Sequence, residues 1–135
     1  MPARPPDPLT MHLSEFSLTS CMAPVRRFMA EWAAAQGMPS DEVDDLVLAT
    51  HEALANVADH AYPEGHAEAW LDARRRAPNT LVVTVRDGGH WRTPPADPGF
   101  RGHGLTMIRG LAERVEVRRW AVGTTVAMYW SLPRI

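Results

Sequence analysis

The run from Asp41 to Pro63 constrains this chain more than any other. Apolar or small residues recur at Val43, Val47, Thr50, Leu54, Val57 and Ala61, with Leu46 and Ala53 beside them. That spacing predicts one buried stripe of an α-helix. Ser40 is placed to cap its N-terminus, and the acids that follow suit the positive end of the helix dipole. Pro63 stops it. Glu52 and Asn56 stand four residues apart and so project from one face, a turn from one another. A carboxylate and an amide so placed suit a proton acceptor beside a metal or phosphate site. On the helix alone, the same pair is also what a solvated polar edge looks like.

The remaining elements follow in order. Residues 1–8 are proline-rich and read as a loose tail, with the folded domain over 9–135. Leu9 to Leu18 alternates in part and predicts a strand. Ser20 then offers a helix cap and Pro24 sits in the first turn. Val25, Phe28, Met29 and Trp32 form the apolar face, and Gly37 ends the helix. After the central helix, residues 62–66 read as a turn. Ala67 to Arg75 alternates around Ala69, Leu71 and Ala73, and Ala77-Pro78-Asn79 turns the chain back. Leu81 to Asp87 is the clearest strand, β-branched and almost wholly apolar.

Residues 88–104 hold five glycines and three prolines, which excludes regular structure and marks a loop that is functional or mobile. Helical spacing resumes from Leu105 to Glu113. Val115 to Trp120 alternates as a strand, residues 121–124 turn, and Thr125 to Leu132 is the last strand. The order β-α-α-β-β-loop-α-β-β predicts an α/β sandwich of the α+β class. Its helices cover one face of a largely antiparallel sheet.

Composition narrows the chemistry. A chain of 135 residues with net charge −2 is one ordinary domain, with no electrostatic case for nucleic acid or anionic membrane. No apolar run approaches a bilayer span, and the N-terminus lacks the apolar core of a secretory signal, so a cytoplasmic home is the default. The single cysteine, Cys21, excludes an internal disulfide. All fourteen basic residues are arginine. Without lysine there is no phosphate-loop lysine, no Schiff base and no strand lysine of ordinary protein kinases. Phosphate would have to be held by backbone amides, a metal ion or arginine.

Four features line up along the chain: Glu52-x-x-x-Asn56 on the helix, Asp87-Gly88-Gly89 at a strand end, Gly102-His103-Gly104-Leu105 where the loop enters a helix, and Gly123-Thr124-Thr125 in the last hairpin. Each has a use in a nucleotide site. A buried strand-end aspartate can accept the exocyclic amine of adenine. Glycines at a helix start present N–H groups to phosphate. Asn56 offers a hard oxygen to Mg2+. Glu52 can take a proton from an attacking hydroxyl. A zinc set from His51, Asp59, His60 and His66 fits no compact ligand spacing.

Together these segments resemble the N, G1, G2 and final Gly-Thr boxes of the GHKL (Bergerat) ATPases. Within them the chain is most similar to the bacterial anti-sigma factor serine/threonine kinases, over about Leu9 to Leu132. The resemblance implies ATP and Mg2+ as cofactors. It implies Asn56 as the Mg2+ ligand and Glu52 as base on the substrate serine. Asp87 would meet adenine, with Gly89 beside it. Gly102 and Gly104 would wrap the phosphates, with His103 and Leu105 in the same segment, and Thr124 or Thr125 would supply the hydroxyl near adenine. It further implies a homodimer that binds a sigma factor and phosphorylates a STAS-fold anti-anti-sigma protein. One position departs from the pattern: Trp91 stands where the first glycine box ends in glycine, and there it would stack on or crowd the nucleotide. Arg101 is the nearest cation for the γ-phosphate, one residue off the family's lid arginine.

Two expectations of different class follow. One is a protein kinase that doubles as an anti-sigma factor. The other is a nucleotide-gated partner-binding module without useful transfer. A histidine-kinase catalytic domain is a third, and it would need its phosphoacceptor helices on another protein.

Overall fold

The computed structural model describes residues 8–14, 18, 22–58, 68–76, 78–88, 103–120 and 123–133, with 103 and 104 as backbone only. The elements are β1 Leu9–Ser14, α1 Met22–Ala35, α2 Ser40–Asn56, β2 Glu68–Arg76, β3 Thr80–Asp87, α3 His103–Leu111, β4 Arg114–Arg119 and β5 Thr124–Ser131. They occur in the order the sequence predicts. The strands form one sheet in the order β1-β2-β3-β5-β4, antiparallel at every pairing.

Period-two alternation sends Leu13, Ala69, Leu71, Ala73, Leu81, Val83, Val85, Val126, Met128 and Trp130 to one face, where they join the helices' apolar residues in a single core. α2 is the hub of the helical layer, packing on α1, α3 and β3. It buries Val43, Leu46, Ala49, Thr50, Ala53 and Leu54. Thr50 is tolerated there because its hydroxyl donates to the Leu46 carbonyl one turn back, at 2.8 Å. Val47 is only half-buried, at the shoulder of the stripe.

Several local expectations change. Ser40 is the first helical residue, and Pro39 is the N-cap, with φ −61° and ψ 149° and no side-chain cap bond. Proline's fixed φ supplies the extended entry that a serine cap would otherwise hold. Burial, and then the charges of Asp41, Glu113 and Asp45, raise the Glu42 carboxyl above its ordinary value. The acidic first turn is therefore not pure dipole gain. Phe28 is 50% exposed, because α1 buries Val25, Met29, Trp32 and Ala33 and leaves Phe28 on the shoulder. β1 stops at Ser14, and Leu18 is buried and helical rather than the end of a strand. Ser20, Cys21, Ala61, Pro63 and the 62–66 turn lie outside the described residues.

The end of α1 follows a known rule. Gly37 takes φ +91°, its N–H donates to Ala34 at 3.0 Å, and the Met38 N–H donates to Ala33 at 3.3 Å. That is a Schellman stop, with Met38 buried as its hydrophobic contact. Gln36 beside it is only 6% exposed, and neither its Oε1 nor its Nε2 has a hydrogen-bond partner among the described residues. An unsatisfied buried amide costs about 1–3 kcal/mol. Gln36→Met, close in volume, is therefore expected to stabilise the fold by about 1 kcal/mol. A urea melt whose midpoint stays or falls would contradict this.

Candidate functional site

The site is built on the end of β3. Asp87 is 2% exposed, flanked in register by Ala69 of β2 and Thr124 of β5. Both neighbours are themselves buried, at 0% and 2%. A carboxylate so enclosed is kept only where it has donors to meet. It sits here because Leu81, Val83 and Val85 fill the inward face of β3, and the period of two carries Asp87 in after them. Gly88 follows and is half-buried.

Gly123 closes the other side. It adopts φ +102°, and a Cβ there would lie 2.2 Å from the Asp87 carbonyl oxygen. The last hairpin can approach the backbone of Asp87 only because this residue has no side chain. The sequence singles out Gly123-Thr124-Thr125 but shows no role for the glycine. No local signal assigns it one, since the Asp87 backbone it meets is brought there only by the pairing of β3 with β5. The two threonines part company. Thr124 is buried next to Asp87, whereas Thr125 faces the opposite side of the sheet and accepts the Trp120 indole N–H at 3.3 Å. Strand alternation thus sets Thr124 beside Asp87 and turns Thr125 to the opposite face of the sheet.

The central helix supplies the second group. Glu52 and Asn56 occupy the last turns of α2 and are half-buried. Among the described residues neither has an ion pair or side-chain hydrogen bond, so a carboxylate and a hard amide oxygen remain available. Nearby, His51 Nδ1 meets Arg26 of α1 at 3.2 Å, and no group of three metal-binding side chains occurs among the described residues. α2 packs on β3, whose end carries Asp87, and on α3.

The third group is the start of α3. The helix begins at His103, two residues earlier than its apolar spacing suggests. The N–H groups of His103, Gly104 and Leu105 thus belong to its first turn, where intrahelical acceptors are lacking and an anion is favoured. Leu105 is half-buried and packs against the core, which anchors that turn. Gly89, Trp91, Arg101 and Gly102 lie outside the described residues.

A buried strand-end aspartate beside a glycine-threonine hairpin, a helix bearing Glu-x-x-x-Asn and a glycine-led helix start accord with one family model. The histidine kinase-like ATPase domain model matches residues 17–130. The chain belongs to that family. Among solved structures it is similar to that of the RsbU and RsbW domains of Rv1364c from Mycobacterium tuberculosis. The TM-score is 0.77 at 24% identity, over 96% of this chain and 34% of that one. It is also similar to the blue-light activated histidine kinase EL346 of Erythrobacter litoralis. There the TM-score is 0.57 at 26% identity, over 70% of this chain and 32% of that one. The chain thus spans about a third of the length of each. The likeness to the Mycobacterium tuberculosis protein establishes the fold. No helix among the described residues is long and apolar enough to cross a membrane.

Proposed function

We propose that this protein is an anti-sigma factor serine/threonine kinase. It binds Mg-ATP and phosphorylates a STAS-type anti-anti-sigma protein, and so regulates sigma-factor-dependent transcription. The observation that carries the nucleotide half is the buried Asp87 between Ala69 and Thr124, with Gly123 against its backbone. Family membership supports ATP as the nucleotide. The likeness to a structure that includes an RsbW domain supports the regulatory half.

In this reading Asp87 accepts the amine of adenine and the Thr124 hydroxyl completes that end of the pocket. The first turn of α3 receives phosphate oxygens, with Gly102 and Arg101 preceding it. Asn56, a neutral oxygen ligand with no competing partner among the described residues, fits Mg2+ held mainly by phosphates and water. When bound, the ion spreads the negative charge of the phosphates. Glu52 takes the proton of the substrate hydroxyl as its oxygen bonds to the γ-phosphorus. The bond to the bridging oxygen breaks and ADP leaves. Catalysis is then chiefly positioning and electrostatics.

Calorimetry with Mg-ATP and Mg-ADP tests the pocket. Asp87→Asn replaces an acceptor with a donor facing a donor, and is expected to weaken both nucleotides by about 10- to 100-fold. Asn56→Ala should reduce mainly the Mg2+-dependent part of the affinity. Wild-type protein that binds no nucleotide at millimolar concentration sinks the reading. If nucleotide binds but a STAS-domain protein gains no phosphoserine or phosphothreonine, the transfer half fails alone. Trp91, in place of a box glycine, favours a second reading. There ATP gates partner affinity without transfer, by binding two states of the chain differently. Partner exchange that survives Glu52→Ala supports it. In either reading the active unit is a homodimer, which sedimentation tests directly.

A further inference from the structure

The helices cover one face of the sheet, and the opposite face carries an arrangement that nucleotide chemistry does not use. Strand register aligns His12, Trp70, Arg86, Thr125 and Arg118 in one row across all five strands. The His12 ring stacks on the Trp70 indole at 4.8 Å and 9° between planes. The Arg86 guanidinium lies 4.5 Å from the indole centre. Four positions along the strands runs a second row: Arg74, Val82, Tyr129 and Arg114. Here too an arginine covers an aromatic ring, Arg114 lying 4.1 Å from the centre of Tyr129. Between the rows stand Thr10, Asp72, Thr84, Ala127 and Glu116; the threonines and the alanine keep the floor low, and the two acids pair with Arg74 and Arg114 of the second row. Two aromatic-arginine walls therefore bound a trough with a low floor. Its β1–β3 part is a depression of about 380 Å³.

Charge and width say what fits. The acids of this face are engaged within it. Asp72 takes two bonds of 2.6 Å from Arg74. Glu116 lies 3.6 Å from Arg114 and accepts the Tyr129 hydroxyl at 3.3 Å. Glu68 pairs with His12. Arg86 and Arg118 are exposed, share one wall, and have no carboxylate partner among the described residues. Four residues along a strand separate the walls by about 13 Å. That spacing is centre to centre, so the side-chain ridge of an α-helix about 10–12 Å across enters between the walls while its flanks rest on them. A second copy on the same patch would set Arg86 and Arg118 against a face with the same cationic excess. Nucleic acid would lay a continuous row of phosphates over Asp72 and Glu116 in the floor, whereas an amphipathic helix carries its carboxylates along one edge, beside Arg86 and Arg118.

We propose that this trough docks an acidic amphipathic α-helix of a partner protein. The helix lies across the strands, with its carboxylates on Arg86 and Arg118 and its apolar side over Trp70 and Tyr129. The probe is a fluorescent helical peptide of about 20 residues, long enough to cross five strands. It carries a leucine stripe flanked by glutamate, and its twin has lysine at every glutamate. Anisotropy is expected to show wild-type protein binding the glutamate peptide and not the lysine one. Affinity should fall by at least about tenfold in Arg86→Glu/Arg118→Glu, and also with added salt. The milder Arg86→Gln/Arg118→Gln pair should lie between, and circular dichroism checks that both variants fold. No binding of the glutamate peptide, equal binding of the two peptides, or unchanged affinity in the double variants would overturn the proposal. So would a wild-type dimer in sedimentation that Arg86→Glu/Arg118→Glu converts to monomer, since the face would then belong to a second copy.

Discussion

Glu52→Gln is expected to slow phosphoryl transfer to a protein hydroxyl by about 10²- to 10⁴-fold, the ordinary contribution of a positioned general base. Nucleotide affinity should stay within about threefold, far less than one hydrogen bond to a charged group would be worth. Glutamine keeps the length and half-buried packing of Glu52 while removing its ability to take a proton. Because the wild-type carboxylate has no ion pair among the described residues, the substitution leaves no stranded charge. Single-turnover transfer from ATP to a STAS-domain protein, run beside calorimetry, separates the outcomes. A full transfer rate would remove Glu52 as the base. Lost nucleotide affinity with a proportionate loss of rate would make it a binding residue instead. Both results would leave the family and fold untouched, since neither rests on this side chain.

Gly123→Ala is expected to destabilise the protein by about 3 kcal/mol or more, the largest effect among Gly37, Gly110 and Gly123. Two penalties combine. The left-handed φ of +102° is one that side-chain-bearing residues rarely adopt, and the new Cβ would meet the Asp87 carbonyl at 2.2 Å. The overlapping atom belongs to the backbone of a central strand and has little room to yield. Two other glycines separate these causes. Gly37 shares a left-handed φ, at +91°, but has nothing within 4 Å of its missing Cβ, so Gly37→Ala should cost only about 1 kcal/mol. Gly110 is exposed on α3 with open space around it, so Gly110→Ala should stabilise by about 0.5 kcal/mol. Chemical denaturation of the three variants reads the series. Should Gly123→Ala cost no more than Gly37→Ala, the close approach to Asp87 is not a tight one. A damaged Gly123 variant that still folds should also bind nucleotide poorly, because the carbonyl it displaces belongs to the aspartate at the heart of the site.

Much of this was legible in the residues themselves, for identifiable reasons. The period of 3.6 from Val43 to Val57 and the period of 2 from Ala69 to Ala73 are local, and burial of one face obeys them. Asp87 was legible because an acid that ends an apolar strand has to be accommodated where the strand ends. Glu52 and Asn56 were legible as a pair because four residues make about one helical turn. Cap details were less so: Ser40 and Pro39 are adjacent, and only the observed backbone assigns the cap to the proline. Which threonine attends Asp87 needed the register of β5, since neighbouring strand residues face opposite sides. Gly123 needed the pairing of β3 with β5, which no local pattern contains. The row of His12, Trp70, Arg86, Thr125 and Arg118 draws one residue from each of five strands, spread over most of the chain. The sequence by itself determined the elements, the faces they bury and the residues able to do chemistry. Only the tertiary structure decided which strands are neighbours, because pairing is set by how the whole apolar face packs beneath the helices rather than by any one segment.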